Sequence, residues 1–213
     1  MMSRYAVKML IVFWLVCITL LPCYAEKENT PEETYAQIYT RGRISIQFIT
    51  GVLFGHRILI QAERPDFDYF PINLRCGWML NTPGSKKSFF RGNFDALFEV
   101  TYSSIFNGPG DYFFGITALI RYNFVQPDAK LIPYAQFGAG VVFTDAHKVL
   151  TQNVIGQSIE FTPQISIGFH YSVEENWTFD FEGMFHHVSN AGFAVRNDGL
   201  NSFGAFAGFT HFF

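Results

Sequence analysis

The chain has 213 residues and a net charge of −3 at pH 7, and 49% of its residues are hydrophobic. A mildly acidic chain has no positive field for a polyanion, so we expect no nucleic-acid partner. The 18% aromatic content, with 26 phenylalanines, is unusual for a soluble domain, and the spacing of these residues decides the fold class.

The first 25 residues have the features of a secretory signal peptide. Arg4 and Lys8 precede an uncharged apolar run over 9–21, and small residues favour cleavage after Ala25. The run is shorter than the about 20 residues of a spanning helix, and an uncleaved anchor is the alternative. We therefore predict a signal peptide over 1–25, a polar N-terminal tail over 26–40 and one folded domain over 41–213.

The folded domain contains eight segments in which apolar and polar residues alternate, as in strands with one apolar face. In the clearest segment, 159–172, every second residue is Ile, Phe, Pro or Tyr. Clusters of Gly, Pro, Asn and Asp separate several of the segments and favour turns. The predicted strands, in chain order, are 43–54, 72–80, 93–102, 112–124, 135–143, 159–172, 177–186 and 203–213.

Two all-β folds fit this alternation, a soluble barrel with its apolar face inward and a transmembrane barrel with that face on lipid. The strands exceed the five or six residues typical of soluble sheets. Polar-face charges such as Arg75, Glu99 and Glu182 could pair inside a narrow barrel, which would leave no open pore. The final Phe213 resembles the end of Gram-negative outer-membrane barrels. We predict an eight-stranded antiparallel transmembrane β-barrel in the bacterial outer membrane.

The seventh segment continues into His187 and Ser189, which keep the parity of its apolar face. Residues two apart in a strand lie on one face, about 6.6 Å apart along the axis, so a hydroxyl and an imidazole can form a hydrogen bond. This pair is the minimum for an activated nucleophile. Asn201 lies on the same outward parity at the start of the eighth segment. The alternative is that these polar side chains only meet lipid headgroups.

The run His187–Gly192, followed by Asn197, Asp198 and Gly199, resembles the signature of the PagL family of outer-membrane lipid A 3-O-deacylases. The resemblance implies that Ser189 is the nucleophile and His187 the general base. It implies that the substrate is lipid A of lipopolysaccharide, with no metal and no cofactor. The sequence leaves a homodimer open. The expected oxyanion donors are the amides around Asn190, Ala191 and Gly192.

Asn201 departs from the family pattern, which has a glutamate at the third catalytic position. An asparagine oxygen can accept the histidine N–H but cannot offset an imidazolium charge. Asp198, in the preceding loop, is the alternative carboxylate. The sequence leaves open a Ser-His-Asn enzyme, an enzyme that uses Asp198, a barrel without catalysis that serves structure or adhesion, and an esterase for another membrane lipid.

Four cations fall in the predicted extracellular loops, where they could contact lipid A phosphates or simply be solvated: Arg57, Arg64, Lys148 and Arg196. His170 and His186 have the parity of the polar, inward face, so we expect them inside the barrel.

Overall fold

The structure is a computed structural model that describes residues 37–55, 65–85, 88–127 and 129–213. The predicted signal peptide over 1–25 and most of the predicted tail over 26–40 lie outside these residues. Within the described residues, no helix is long and apolar enough to span a membrane.

The described chain forms one closed antiparallel β-barrel. The barrel closes because β1 pairs with β9 and β4 pairs with β5, while β6 and β7 both pair with β5 as two halves of one barrel strand. The eight-stranded antiparallel barrel predicted from the alternation is therefore confirmed. The strands are β1 Ile44–Gly55, β2 Asp68–Met79, β3 Asn93–Asn107, β4 Tyr112–Asn123, β5 Leu131–Thr144, β6 Ile159–Phe161, β7 Gln164–Glu174, β8 Trp177–Val188 and β9 Leu200–Phe212.

The sixth barrel strand is broken, whereas the sequence predicted one continuous strand over 159–172. The break falls at Thr162 and Pro163, and a proline has no N–H for the ladder. The Pro163 carbonyl still accepts the His187 amide at 3.0 Å, and Phe161 pairs with Ser189 through an isolated bridge. The break leaves the alternation parity intact, so the sequence pattern does not reveal it.

The polar face of the strands points into the barrel and the apolar face points out. Arg75 is fully buried; its Nε donates to Glu99 Oε2 at 2.6 Å and its guanidinium donates to Glu182 Oε2 at 2.7 Å. Arg121 donates to the side-chain oxygens of Gln47 and Gln136, at 2.8 Å in both cases. Side chains thus fill the interior with paired charges, as a narrow barrel requires.

Apolar clusters close the interior above and below the charged network. At one end, a loop over residues 145–158, which begins with a short 3₁₀ turn, buries Ala146 and Ile155 against Val188 and Leu200. At the other end, Ile38 and Tyr39 pack with Met79, Ile132 and Phe212, so two residues near the end of the predicted tail are buried. The 145–158 loop lies at the end of the barrel where β8 ends and β9 begins.

Candidate active site

The site lies where the end of β8 meets the start of β9, at the end of the barrel that the loop over 145–158 covers. His187 and Asn201 are cross-strand partners, and the next outward pair, Phe185 and Phe203, has ring centroids 4.8 Å apart. His186, which neighbours His187, is buried inside, where its Nδ1 lies 2.7 Å from the Tyr69 hydroxyl. His187 and Asn201 are half-buried on the outer wall. The outward parity predicted for His187 and Asn201 and the inward parity predicted for His186 agree with the structure.

A hydrogen-bond chain joins the three predicted catalytic side chains. His187 Nε2 lies 2.9 Å from Ser189 Oγ, and His187 Nδ1 lies 2.6 Å from Asn201 Oδ1. Because the amide oxygen of Asn201 only accepts hydrogen bonds, it holds the imidazole proton on Nδ1. Nε2 is then left as an acceptor that faces the serine hydroxyl, which is the geometry of an activated nucleophile.

The backbone of Ser189 is fixed by the broken sixth strand. Its amide donates to the Phe161 carbonyl at 3.1 Å, and the Phe161 amide donates to the Ser189 carbonyl at 2.8 Å. The ring of Phe161 lies 6.0 Å from that of Phe193, between centroids. Two backbone hydrogen bonds to Phe161 therefore hold Ser189 in place beside the rings of Phe161 and Phe193, although Ser189 lies beyond the last residue of β8.

A tight turn follows the serine. The Phe193 amide donates to the Asn190 carbonyl at 3.1 Å, and the two central residues, Ala191 and Gly192, have φ of 54° and 87°. Two positive φ values define a type I′ turn, in which a residue with a Cβ is strained by roughly 1 to 2 kcal/mol. The buried Asn190 side chain supports the turn, because its Oδ1 accepts from the amides of Gly192 at 3.0 Å and Ala194 at 3.3 Å.

The three amides predicted as oxyanion donors differ in their partners. The Asn190 amide donates to Asn197 Oδ1 at 2.9 Å, and the Gly192 amide donates to the Asn190 side chain. Among the described residues, nothing accepts a hydrogen bond from the Ala191 amide. The turn therefore uses two of the three donors for its own stability and leaves Ala191 available to a ligand.

Asn201 and Asp198 were the two predicted candidates for the third position. Asn201 occupies the third position of the hydrogen-bond chain, because its Oδ1 lies 2.6 Å from His187 Nδ1. The backbone of Asp198 is held by the loop over 145–158, because its amide donates to the Asn153 carbonyl at 2.9 Å. Gly199 was included in the family signature but was assigned no role in the site from the sequence. With φ at 68°, it packs so close that an added Cβ would lie 3.1 Å from His187 Cε1. The signal available for it was the Asp-Gly pair, which is typical of turns with positive φ.

Two of the four predicted loop cations, Lys148 and Arg196, lie in the part of the chain that the structure describes. Arg196 donates its guanidinium hydrogens to backbone carbonyls, and Lys148 is exposed, while Arg57 and Arg64 lie outside the described residues. Over the described ranges, no group of three or more His, Cys, Asp or Glu side chains is arranged to hold a metal ion.

Comparisons with known proteins give the family and the fold of this chain. The family model for lipid A 3-O-deacylase (PagL) matches residues 72–210, which include every residue of the hydrogen-bond chain. A crystal structure of the outer membrane enzyme PagL is 21% identical, with a TM-score of 0.56, and the match covers 77% of this chain and 97% of that one. Neisserial surface protein A is 14% identical, with a TM-score of 0.53, covering 80% of this chain and 99% of that one.

A search of curated proteins found no match. The two structural matches show a shared barrel fold, and the family model spans well over half of the chain. This chain therefore belongs to the PagL family of lipid A 3-O-deacylases, as the resemblance of its sequence implied.

Proposed function

We propose that this protein is an outer-membrane esterase that removes the 3-O-linked hydroxyacyl chain from lipid A, with Ser189 as the nucleophile. The observation that carries the proposal is the hydrogen-bond chain from Ser189 Oγ through His187 to Asn201 Oδ1, with distances of 2.9 and 2.6 Å. Family membership supports lipid A as the substrate and ester hydrolysis as the reaction.

The reaction begins when Ser189 Oγ attacks the ester carbonyl and its proton passes to His187 Nε2. The tetrahedral intermediate collapses, the bond to the sugar oxygen breaks, and His187 returns the proton to that oxygen. Water, deprotonated by His187, then attacks the acyl-serine. The bond between the acyl group and Ser189 Oγ breaks, His187 returns the proton to Oγ, and the hydroxy fatty acid is released. The enzyme ends with its starting protons, and each step uses only these side chains and water.

The Ala191 amide is the donor that we assign to the oxyanion. It follows Ser189 by two residues, and the strained φ of 54° persists because the Asn190 side chain fixes the turn. Strain of this kind is concentrated at functional sites, where it holds a donor in place before the charge develops. A preorganised donor of this kind is worth roughly 10²- to 10³-fold in turnover.

Asn201 is the residue that we assign to orienting the histidine. Its oxygen keeps the proton on Nδ1, which leaves Nε2 to accept from Ser189 in every cycle. It adds no negative charge beside the imidazolium that forms during attack. We therefore expect a Ser-His-Asn enzyme that turns over more slowly than a carboxylate-assisted one.

The outer wall of the barrel supports placement in a membrane. Apolar side chains on this wall are exposed in the isolated chain, and the exposed fraction is 70% for Ile167 and 51% for Phe98. Contact with lipid would remove this apolar surface from water. Ser189 lies on that wall rather than in the interior. A lipid A molecule in the outer leaflet would reach it without leaving the bilayer. The predicted signal peptide, cleaved after Ala25, would bring the chain across the inner membrane.

The test is mass spectrometry of lipid A after incubation with refolded protein in detergent. We expect the wild type to remove one hydroxyacyl mass and Ser189→Ala to remove none. Ser104→Ala is the matched control, because this exposed serine lies on another strand and no histidine contacts it among the described residues. Unchanged lipid A with a folded wild-type barrel, shown by heat-modifiable gel migration, would overturn the proposal. Such a result would favour a structural barrel or an esterase for another lipid.

A further inference from the structure

Arg196 connects the loop that follows Ser189 to a neighbouring loop. We call residues 189–199 the β8–β9 loop and residues 145–158 the β5–β6 loop. The Arg196 guanidinium donates to the carbonyls of His147 at 2.7 Å and of Val149 and Gln152 at 3.1 Å each. A guanidinium offers five N–H donors in a fixed fork, and charged donors make the stronger hydrogen bonds. The structure shows three hydrogen bonds from these donors to the protein backbone.

The β5–β6 loop that receives Arg196 is held firmly from within. The Gln152 amide group donates to the carbonyls of Ala146, Val149 and Ile155, at 3.2, 3.1 and 2.8 Å, and accepts from the Ile155 amide at 2.8 Å. Ala146 and Ile155 are fully buried in the apolar cluster that closes the barrel. Arg196 is thus fastened to a surface that is fixed to the barrel itself.

Two backbone hydrogen bonds carry this contact to the reacting groups. The amides of Asp198 and Gly199 donate to the carbonyls of Asn153 and Val154, at 2.9 and 3.2 Å. A Cβ added at Gly199 would lie 3.1 Å from His187 Cε1 and 3.5 Å from Ser189 Cβ. The β5–β6 loop therefore holds Gly199 at a place next to both the His187 ring and Ser189.

We infer that Arg196 is a positioning residue, which fastens the β8–β9 loop to the β5–β6 loop and so holds Ala191, Ser189 and His187 in their reactive arrangement. The inference rests on the proposed esterase function. The competing role for a cation at this place is to bind a phosphate of lipid A. The three carbonyl contacts favour positioning, because they already engage both terminal nitrogens of the guanidinium.

The experiment measures kcat and KM on two substrates, lipid A with its phosphates and dephosphorylated lipid A. The proteins compared are the wild type, Arg196→Met, Arg196→Lys and Lys148→Met. Positioning predicts that Arg196→Met lowers kcat about 10- to 100-fold on both substrates and leaves KM within about twofold. Arg196→Lys should recover part of kcat, because an ammonium reaches some of the carbonyls but lacks the fork. Lys148→Met removes an exposed loop cation and should change neither constant.

A raised KM with unchanged kcat, confined to the phosphorylated substrate, would overturn the inference in favour of phosphate binding, and unchanged constants would also overturn it. If Arg196→Met does not fold, Gln152→Ala replaces it, since it loosens the β5–β6 loop and changes no charge. Positioning then predicts a lower kcat, and an unchanged kcat contradicts it. An inactive wild type would instead count against the esterase function itself.

Discussion

Replacing Asn201 with aspartate adds one negative charge to the site with almost no change of shape. The carboxylate would keep an oxygen where Asn201 Oδ1 now lies, 2.6 Å from His187 Nδ1. Two unit charges about 4 Å apart interact by about 4 kcal/mol at an effective dielectric of 20, and partial exposure reduces this strongly. If about 1.4 kcal/mol of this attraction stabilises the imidazolium in the transition state, Asn201→Asp raises kcat about tenfold.

The assay for this prediction is the initial rate of hydroxy fatty acid release from lipid A in detergent micelles. Asn201→Ala is the paired variant, because it removes the acceptor without adding charge. The net worth of such a hydrogen bond is roughly 1 kcal/mol, so we expect about a fivefold loss of kcat/KM. An aspartate variant slower than wild type, or an alanine variant with wild-type rates, would refute the assignment of Asn201 as the orienting residue.

Three further changes have predicted outcomes. Gly199→Ala should lower the deacylation rate at least tenfold while heat-modifiable migration persists, because its Cβ would strain a φ of 68° and meet the imidazole at 3.1 Å. Ala191→Gly should keep the deacylation rate and raise the free energy of unfolding by up to about 1 kcal/mol, measured with urea in lipid vesicles, because glycine accepts the φ of 54° without strain. A slower enzyme would show that the methyl group contributes to the site. Arg75→Met should lower the free energy of unfolding by about 3 to 5 kcal/mol in the same experiment, because the carboxylates of Glu99 and Glu182 stay buried without their cation. A loss below about 1 kcal/mol would contradict that account of the interior network.

The fold could be predicted from the sequence because the alternation of apolar and polar residues that marks each strand is a local pattern. Alternation with a period of two places Arg75 and Glu99 on one face of the sheet and Phe98 on the other, whatever the strand pairs with, and the length of the strands favoured the barrel whose polar face is inside. The same parity places His187, Ser189 and Asn201 on the outer wall. Their meeting also follows, because neighbouring antiparallel strands joined by a loop bring the end of one beside the start of the next.

The contacts that hold the site in place could not be predicted from the sequence, because they join loops that are far apart in the chain. Nothing near Arg196 in the sequence indicates that its partners are the carbonyls of residues 147–152. The Phe161–Ser189 bridge depends on a break at Pro163 that preserves the alternation. The Ala191 amide is available to an oxyanion because the side chains of Asn197 and Asn190 accept from the other two amides. The sequence motif does not indicate these contacts.

The most direct test of the account is a titration of the barrel with a serine-reactive fluorophosphonate, followed by peptide mass spectrometry and a deacylation assay on the same samples. The account predicts that the probe labels Ser189 and that activity falls in proportion to the labelled fraction, reaching zero at full occupancy. Deacylation that survives complete labelling of Ser189, or that is lost with the label on another residue, would contradict the claim that this outward-facing serine is the nucleophile.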